Sequence, residues 1–124
     1  MDEELYKENI LDHYSHPRNK KKMGDFTIKG DGINANCGDE LMLYLKTANR
    51  KITEASFEGV GCAISLAGAS MLTEKLIGLS ISSAKMLSPG DMYTMLGIKI
   101  SPSRTNCALL AYEALSNAIK HINA

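Results

Sequence analysis

Apolar and polar positions alternate most regularly near the middle of the chain. In the segment ELMLYLK, Leu41, Leu43 and Leu45 fall on one face, and Met42 and Tyr44 fall on the other. This two-residue period predicts a β-strand. DFTIKGDGI before it and KITEASFEGV after it predict two more strands, and all three are joined by short connections. Short connections favour antiparallel pairing, so we expect a three-stranded antiparallel meander.

Helical patterns flank these strands. Tyr6, Ile10 and Tyr14 recur every four residues, which predicts an N-terminal helix that ends before Pro17. AISLAGASMLTEKLIG predicts a helix that begins at Ala63, and LSISSAKM predicts a short one. SPGD resembles a capping box and predicts a helix of about two turns. The final segment, SRTNCALLAYEALSNAIKHI, predicts the longest helix, so about five helices accompany the sheet.

Length and charge limit the class of protein. A chain of 124 residues predicts one domain, residues 1–124. Lys plus Arg and Asp plus Glu both number 14, so no excess of one sign indicates nucleic acid or an anionic membrane as partner. The opening MDEELYKENILDHY lacks the features of a secretory signal, and no apolar run reaches the ~18 residues of a membrane span. We expect a cytoplasmic protein whose thiols stay reduced.

Three cysteines carry the candidate chemistry, and each lies at a predicted element boundary. Cys37 precedes a strand, Cys62 lies between a strand and a helix, and Cys107 lies near a helix start. A helix N-terminus lowers the pKa of a thiol and favours the thiolate, which binds metal or attacks sulfur. Free cysteines are also common as small core residues, and the spacing matches no compact zinc motif. The three thiols are therefore either separate core residues or one site.

The neighbours of the cysteines favour one site. Gly38 and Gly61 leave the backbone beside the sulfurs open to a bulky group. Asp39 lies two residues after Cys37, so its carboxylate points to the same side of an extended segment. Three thiolates and one carboxylate suit tetrahedral zinc or the two irons of a [2Fe–2S] cluster. The alternative is that Asp39 only completes a turn.

Four motifs in order resemble the U-type iron–sulfur cluster assembly scaffolds, which comprise IscU, SufU and the N-terminal domain of NifU. The motifs are ILDHYSHPRN, NANCGDE, FEGVGCAISLAGASML and SRTNCALLAYEAL, and the resemblance covers nearly the whole chain. It implies an α+β fold of the SufE/IscU type, a three-stranded antiparallel sheet with helices packed on it. It also implies a scaffold that takes sulfur from a pyridoxal-phosphate cysteine desulfurase. The scaffold combines this sulfur with iron, and with electrons from a ferredoxin or another donor, into a transient [2Fe–2S] cluster. It then passes the cluster to iron–sulfur acceptor proteins.

The resemblance also implies roles for individual residues. By position, Cys37, Asp39, Cys62 and Cys107 are the cluster ligands, and Asp39 is the carboxylate that binds zinc or tunes the lability of the cluster. A persulfide acceptor must be an exposed thiolate. We expect Cys107, on a mobile loop entering a helix, to accept sulfur as in IscU, with Cys37 as the acceptor in a SufU-like reaction.

At other positions the chain resembles either IscU or SufU, but not both. Asn106 replaces the histidine of IscU, whereas Arg104 matches the arginine of SufU and could pair with Asp39 or a thiolate, or be a surface residue. The 45-residue gap between Cys62 and Cys107 lacks the insertion of SufU, so the length follows IscU. The alternative function is a zinc-dependent sulfurtransferase of the SufU type, which relays sulfur without building a cluster.

Overall fold

A computed structural model describes residues 3–35, 38–97 and 99–120. Its elements are α1 Glu3–Ser15, β1 Ile28–Asn34, β2 Asp39–Ala48, β3 Lys51–Val60, α2 Ala63–Leu76, α3 Ile81–Lys85, α4 Pro89–Leu96, a short 3-10 turn Pro102–Arg104, and α5 Thr105–Ile119. Three strands and five helices in this order confirm the predicted α+β class. Within the described ranges, no helix is both long and apolar enough to cross a membrane.

The sheet is an antiparallel meander in the order β1-β2-β3. Leu43 at its centre pairs with Gly30 on β1 and with Phe57 on β3. At one end of the sheet, Asn34 pairs with Asp39. Glu40, the residue after Asp39, pairs with Val60, so the chain leaves β3 for Cys62 at this same end. The register therefore places two of the predicted site residues close together.

One face of the sheet forms the core against α2 and α5. The alternating leucines Leu41, Leu43 and Leu45 are all buried on this face, as the sequence period predicts. Tyr44, on the opposite face, is buried as well, because the ring of Phe26 lies with its centroid 5.6 Å from that of Tyr44. The segment before β1 therefore covers part of the second face.

Helix α5 lies directly on β1 because β1 contains glycines. A Cβ atom at Gly30 would overlap the backbone nitrogen of Ala118, and one at Gly32 would overlap the carbonyl oxygen of Leu110. The absence of side chains at these two positions allows the backbones of strand and helix to approach each other. This approach fixes the beginning of α5, and with it Cys107, beside the end of the sheet.

The helix starts follow the sequence signals. Cys62 is the N-cap of α2, and Ser88 and Asp91 form the predicted capping box of α4. Helix α4 ends at Gly97, whose φ of 72° is in the left-handed region that glycine adopts without strain. These local signals are reliable because they depend only on residues within one turn.

The N-terminal helix differs from its predicted pattern. Ile10 and His13 are buried against α2, whereas Leu11 and Tyr14 are 51% and 45% exposed. The predicted apolar stripe is therefore wrong at Tyr14. The buried position belongs to His13 because its Nδ1 lies 2.7 Å from the hydroxyl oxygen of Ser70.

The basic segment after α1 is fixed to the domain by its backbone. The carbonyl oxygen of Asn19 accepts a hydrogen bond from the N–H of Phe57 at 2.9 Å, and the N–H of Arg18 donates to the hydroxyl of Ser70 at 2.8 Å. The side chains of residues 20–22, all lysines, are exposed. The segment therefore covers an edge of the sheet and presents its charge to solvent.

Candidate metal centre

Three of the four predicted ligands meet at one end of the sheet. Asp39 is the first residue of β2, Cys62 is the N-cap of α2, and Cys107 lies in the first turn of α5. One ligand atom from each residue lies within 4.8 Å of the other two. Asp39 and Cys107 are both 7% exposed, whereas Cys62 is exposed. The cluster is thus open to solvent through Cys62.

Hydrogen bonds hold the carboxylate of Asp39 between the two cysteines. Its Oδ2 atom accepts hydrogen bonds from the hydroxyl of Ser65 at 3.0 Å and from the backbone N–H of Cys62 at 3.4 Å. The thiol sulfur of Cys107 lies 3.9 Å from the same oxygen. The orientation of this carboxylate is consequently set by α2 and α5, which are distant from it in sequence.

The two glycines that the sequence singled out have different surroundings. A Cβ atom at Gly61 would lie 3.0 Å from the Cβ of Ser65 and 3.5 Å from the carboxyl carbon of Asp39, so Gly61 allows close packing beside the carboxylate. Gly38 has a φ of 72° and a Cβ there would meet open space. Glycine at position 38 is therefore explained by its left-handed backbone, which directs the chain into β2.

Cys62 has the thiol that is more easily ionised. Partial burial raises its pKa, but this effect is outweighed by the contacts of its sulfur with the side chains of Ser65 and Cys107 and with the backbone N–H groups of Ser65 and Ile64. The pKa therefore lies below the usual value of a cysteine. The sulfur of Cys62 lies 3.4 Å from the hydroxyl oxygen of Ser65. Stabilisation of the thiolate at this helix start agrees with the expectation from the sequence.

The exposure and the pKa of the Cys107 thiol differ from what the sequence predicts. Burial raises its pKa to about 11, and the neighbouring Cys62 and Asp39 act in the same direction. The residue lies inside α5, preceded by a short helical turn, and its side chain is buried in the core. The expected exposed thiolate at Cys107 is therefore wrong, because packing between elements opposes the field of the helix N-terminus. The assigned role of Cys107 as a ligand stays a prediction.

The remaining predicted site residues are Cys37, Arg104 and Asn106. Cys37 is outside the described residues, so its roles as ligand and sulfur acceptor remain predictions. Arg104 is exposed, and within the described part of the chain no ion pair joins it to Asp39. Asn106 is also exposed and lines a cavity of about 210 Å³ together with Asn34.

Sequence reasoning missed Ser65, which contacts both Asp39 and Cys62 and is 1% exposed. The available signal was its position three residues after Cys62 on a predicted helix, a spacing that places two side chains on the same face. Serine in a helix is otherwise unremarkable, so the spacing alone gave no reason to select it.

The chemistry of the donor set restricts the metal. Two cysteine sulfurs and one carboxylate oxygen suit zinc or iron, whereas magnesium and calcium prefer sites made of oxygen ligands alone. Fold and site together define an α+β domain with a candidate metal site of cysteine and aspartate at one end of a small sheet.

Comparison with known proteins identifies the family. Residues 5–124 match the family described as the NifU-like N terminal domain, so the chain belongs to this family. It is 36% identical over 135 aligned residues to the iron–sulfur cluster assembly scaffold protein IscU of Thermotoga maritima, covering 96% of this chain and 95% of that protein. It is 35% identical over 132 residues to the zinc-dependent sulfurtransferase SufU of Bacillus subtilis, covering 93% and 89%.

Solved structures agree with this assignment. A crystal structure from Fervidobacterium islandicum AW-1, reported as a candidate iron–sulfur cluster assembly scaffold protein for the SUF system, superposes with a TM-score of 0.80 at 27% identity. The superposition covers 95% of this chain and 99% of that one. The N-terminal NifU-like protein of Brucella abortus, at 17% identity and a TM-score of 0.76, shares the fold.

Proposed function

We propose that this protein is an iron–sulfur cluster assembly scaffold. It accepts sulfur from a pyridoxal-phosphate cysteine desulfurase, assembles a transient [2Fe–2S] cluster on Cys37, Asp39, Cys62 and Cys107, and passes it to acceptor proteins. The observation that carries the proposal is the convergence of Asp39, Cys62 and Cys107 within 4.8 Å at one end of the sheet. A relative named as a scaffold, of which 95% is aligned with this chain, supports it.

The ligand set suits cargo that must leave again. Thiolates are the preferred ligands of iron–sulfur clusters, and the harder carboxylate of Asp39 is the weaker donor among them. The position of Cys62 at the surface leaves one side of the site accessible to a donor or an acceptor protein. A persulfide acceptor must be an accessible thiolate, and of the two described cysteines Cys62 meets this requirement better than the buried Cys107.

Cluster assembly also requires an electron donor. Sulfane sulfur must be reduced to sulfide, and oxidation of the incoming ferrous ions supplies only half of the electrons that this reduction requires. A ferredoxin or another reductant must supply the rest. The site offers no redox group beyond its thiols among the described residues, so a separate protein partner fits this role.

A second candidate is a zinc-dependent sulfurtransferase that relays sulfur without building a cluster. The 35% identity to a protein named for this activity supports it, as does Arg104. A tetrahedral zinc ion suits the same four ligands. Under this alternative the protein is an enzyme, and its thiols carry sulfur from the desulfurase to a second acceptor.

Anaerobic reconstitution with ferrous iron, L-cysteine and a desulfurase separates the two candidates. A scaffold develops the visible sulfur-to-iron charge-transfer bands of a [2Fe–2S] cluster, and the cluster transfers to an apo-ferredoxin. A relay develops no such bands, retains zinc and stimulates the turnover of the desulfurase. The second result would overturn the scaffold proposal. The presence of zinc in a purified sample does not by itself distinguish the two candidates, because thiolate sites bind zinc readily.

A further inference from the structure

Ser65 lies at the centre of the candidate metal site, although it is not one of its predicted ligands. Its hydroxyl donates to Oδ2 of Asp39 at 3.0 Å, and the hydroxyl oxygen of Ser65 lies 3.4 Å from the sulfur of Cys62. The residue is 1% exposed, so water does not compete for these contacts. Core packing alone does not explain a buried hydroxyl that contacts two predicted ligands of the same site.

We propose that Ser65 is a positioning residue of the metal site, which fixes the carboxylate of Asp39 for metal binding. The inference rests on the proposed function, because it presupposes that Asp39 is a ligand. Within the described residues, the hydrogen bonds to the Asp39 side chain all fall on Oδ2. Oδ1 accepts none of them. Among the described contacts, Ser65 therefore orients the carboxylate through one oxygen, and none of these contacts occupies the other oxygen, which we assign as the donor to metal.

The hydroxyl of Ser65 has one hydrogen and two neighbouring acceptors. A carboxylate is the stronger acceptor, so the hydrogen points to Asp39, and Oγ is then able to accept a hydrogen bond from the thiol of Cys62. The hydrogen bond from Ser65 to Asp39 therefore does not compete with the contact between Ser65 and Cys62.

Local packing supports this role. Gly61 leaves room for Ser65 and Asp39 to approach, since a Cβ at Gly61 would come within 3.0 Å of the serine Cβ and 3.5 Å of the carboxylate. Ser65 follows Cys62 by three residues on α2, so helix geometry fixes the distance between the hydroxyl and the thiol. Groups that hydrogen-bond to metal ligands typically contribute 10- to 100-fold to metal affinity.

The test is a comparison of zinc affinity for the wild-type protein and Ser65→Ala, measured by competition with a chromophoric chelator. We expect the affinity of Ser65→Ala to fall about 10- to 100-fold. Ser70→Ala is the matched control, because Ser70 is buried on the same helix but hydrogen-bonds to His13 and Arg18 instead. Its zinc affinity should stay at the wild-type value. Circular dichroism of each variant verifies that it is folded.

A double-mutant cycle with Asp39→Ala establishes whether Ser65 acts through the carboxylate. In the Asp39→Ala background, Ser65→Ala should cause no further loss of zinc affinity. An equal loss in both backgrounds would overturn the inference. Cobalt(II) provides a spectroscopic measure: Ser65→Ala should shift the d–d bands while the thiolate-to-cobalt charge-transfer intensity is retained, because the cysteines still bind.

The outcomes separate this inference from the proposed function. Wild-type affinity in Ser65→Ala, with tight zinc binding and cluster assembly by the wild-type protein, would overturn the role of Ser65 alone. Failure of the wild-type protein to bind zinc or cobalt and to assemble a cluster would overturn both.

Discussion

The imidazole Nδ1 of His13 lies 2.7 Å from the hydroxyl oxygen of Ser70, and this contact joins α1 to the buried side of α2. Burial lowers the pKa of His13, and the positive charge of Arg18 lowers it further. The carboxylates of Glu74 and Asp12 act in the opposite direction without reversing the shift. His13 is therefore held neutral in the folded protein at a pH where an exposed histidine begins to gain a proton.

This pKa shift predicts that the fold loses stability on mild acidification. The unfolded chain binds a proton near pH 6.5 and the folded chain binds it only at lower pH, so the stabilisation is complete above about pH 6.5 and is lost as pH falls. One proton gives a slope of at most about 1.4 kcal/mol per pH unit in the free energy of unfolding. Urea unfolding at pH values between about 7.5 and 5.5 measures this slope.

Two variants assign the pH dependence to His13. His13→Gln should have a smaller slope than the wild-type protein over this range. His16→Gln should retain the wild-type slope, because His16 is exposed at the end of α1. An identical slope in wild type and His13→Gln would show that another group causes the pH dependence.

The glycines of β1 predict a second result, in which stability and metal affinity change together. Gly30→Ala introduces a Cβ that overlaps the backbone of Ala118, so α5 must move away from the sheet. We expect a loss of about 1–3 kcal/mol or more in the free energy of unfolding. Zinc affinity should fall too, because Cys107 is on the same helix.

Gly24→Ala is the matched control for this substitution. A Cβ at Gly24 would have no other atom within 4 Å, so the free energy of unfolding should change by no more than about 0.5 kcal/mol. Both free energies come from urea unfolding, and zinc affinity comes from chelator competition. A stable Gly30→Ala protein with unchanged zinc affinity would contradict the link between strand packing and the metal site.

The features that were predicted correctly depend on local pattern. The leucines at 41, 43 and 45 alternate because one face of β2 is buried, and the capping box at Ser88 is complete within four residues. Such signals need no knowledge of the rest of the chain. A strand was predicted for DFTIKGDGI, but the purpose of its glycines depends on α5, which lies far along the sequence.

The features that were missed depend on contacts between distant elements. His13 is buried because Ser70, 57 residues later, provides a polar partner, and the helical pattern of α1 gave no sign of it. Cys107 is near a helix start, as predicted, yet its burial beside Cys62 and Asp39 raises its pKa. Sequence spacing identifies residues of the right chemistry, whereas burial and pKa depend on which other elements surround them.

The contrast between the two described cysteines predicts different reactivity. In a Cys37→Ser background without zinc, iodoacetamide at about pH 7.5 should modify Cys62 at least about tenfold faster than Cys107, because Cys62 is exposed and has the lower pKa. Mass spectrometry of the digested protein gives both rates. In urea the two rates should become similar. Equal rates in the folded protein would contradict the burial of Cys107.

Two substitutions at the site predict opposite effects on the cluster, measured by its visible charge-transfer absorption after anaerobic reconstitution. Cys107→Ser should abolish cluster formation, because it replaces a soft thiolate ligand with a hydroxyl. Asp39→Ala should form a cluster that decays more slowly than in the wild-type protein when a chelator is added. The weak carboxylate ligand is then absent, and an added thiol such as dithiothreitol is able to occupy its position at the iron.

Normal cluster formation by Cys107→Ser would remove that residue from the ligand set. Faster decay in Asp39→Ala would show that the carboxylate retains the cluster instead of making it labile.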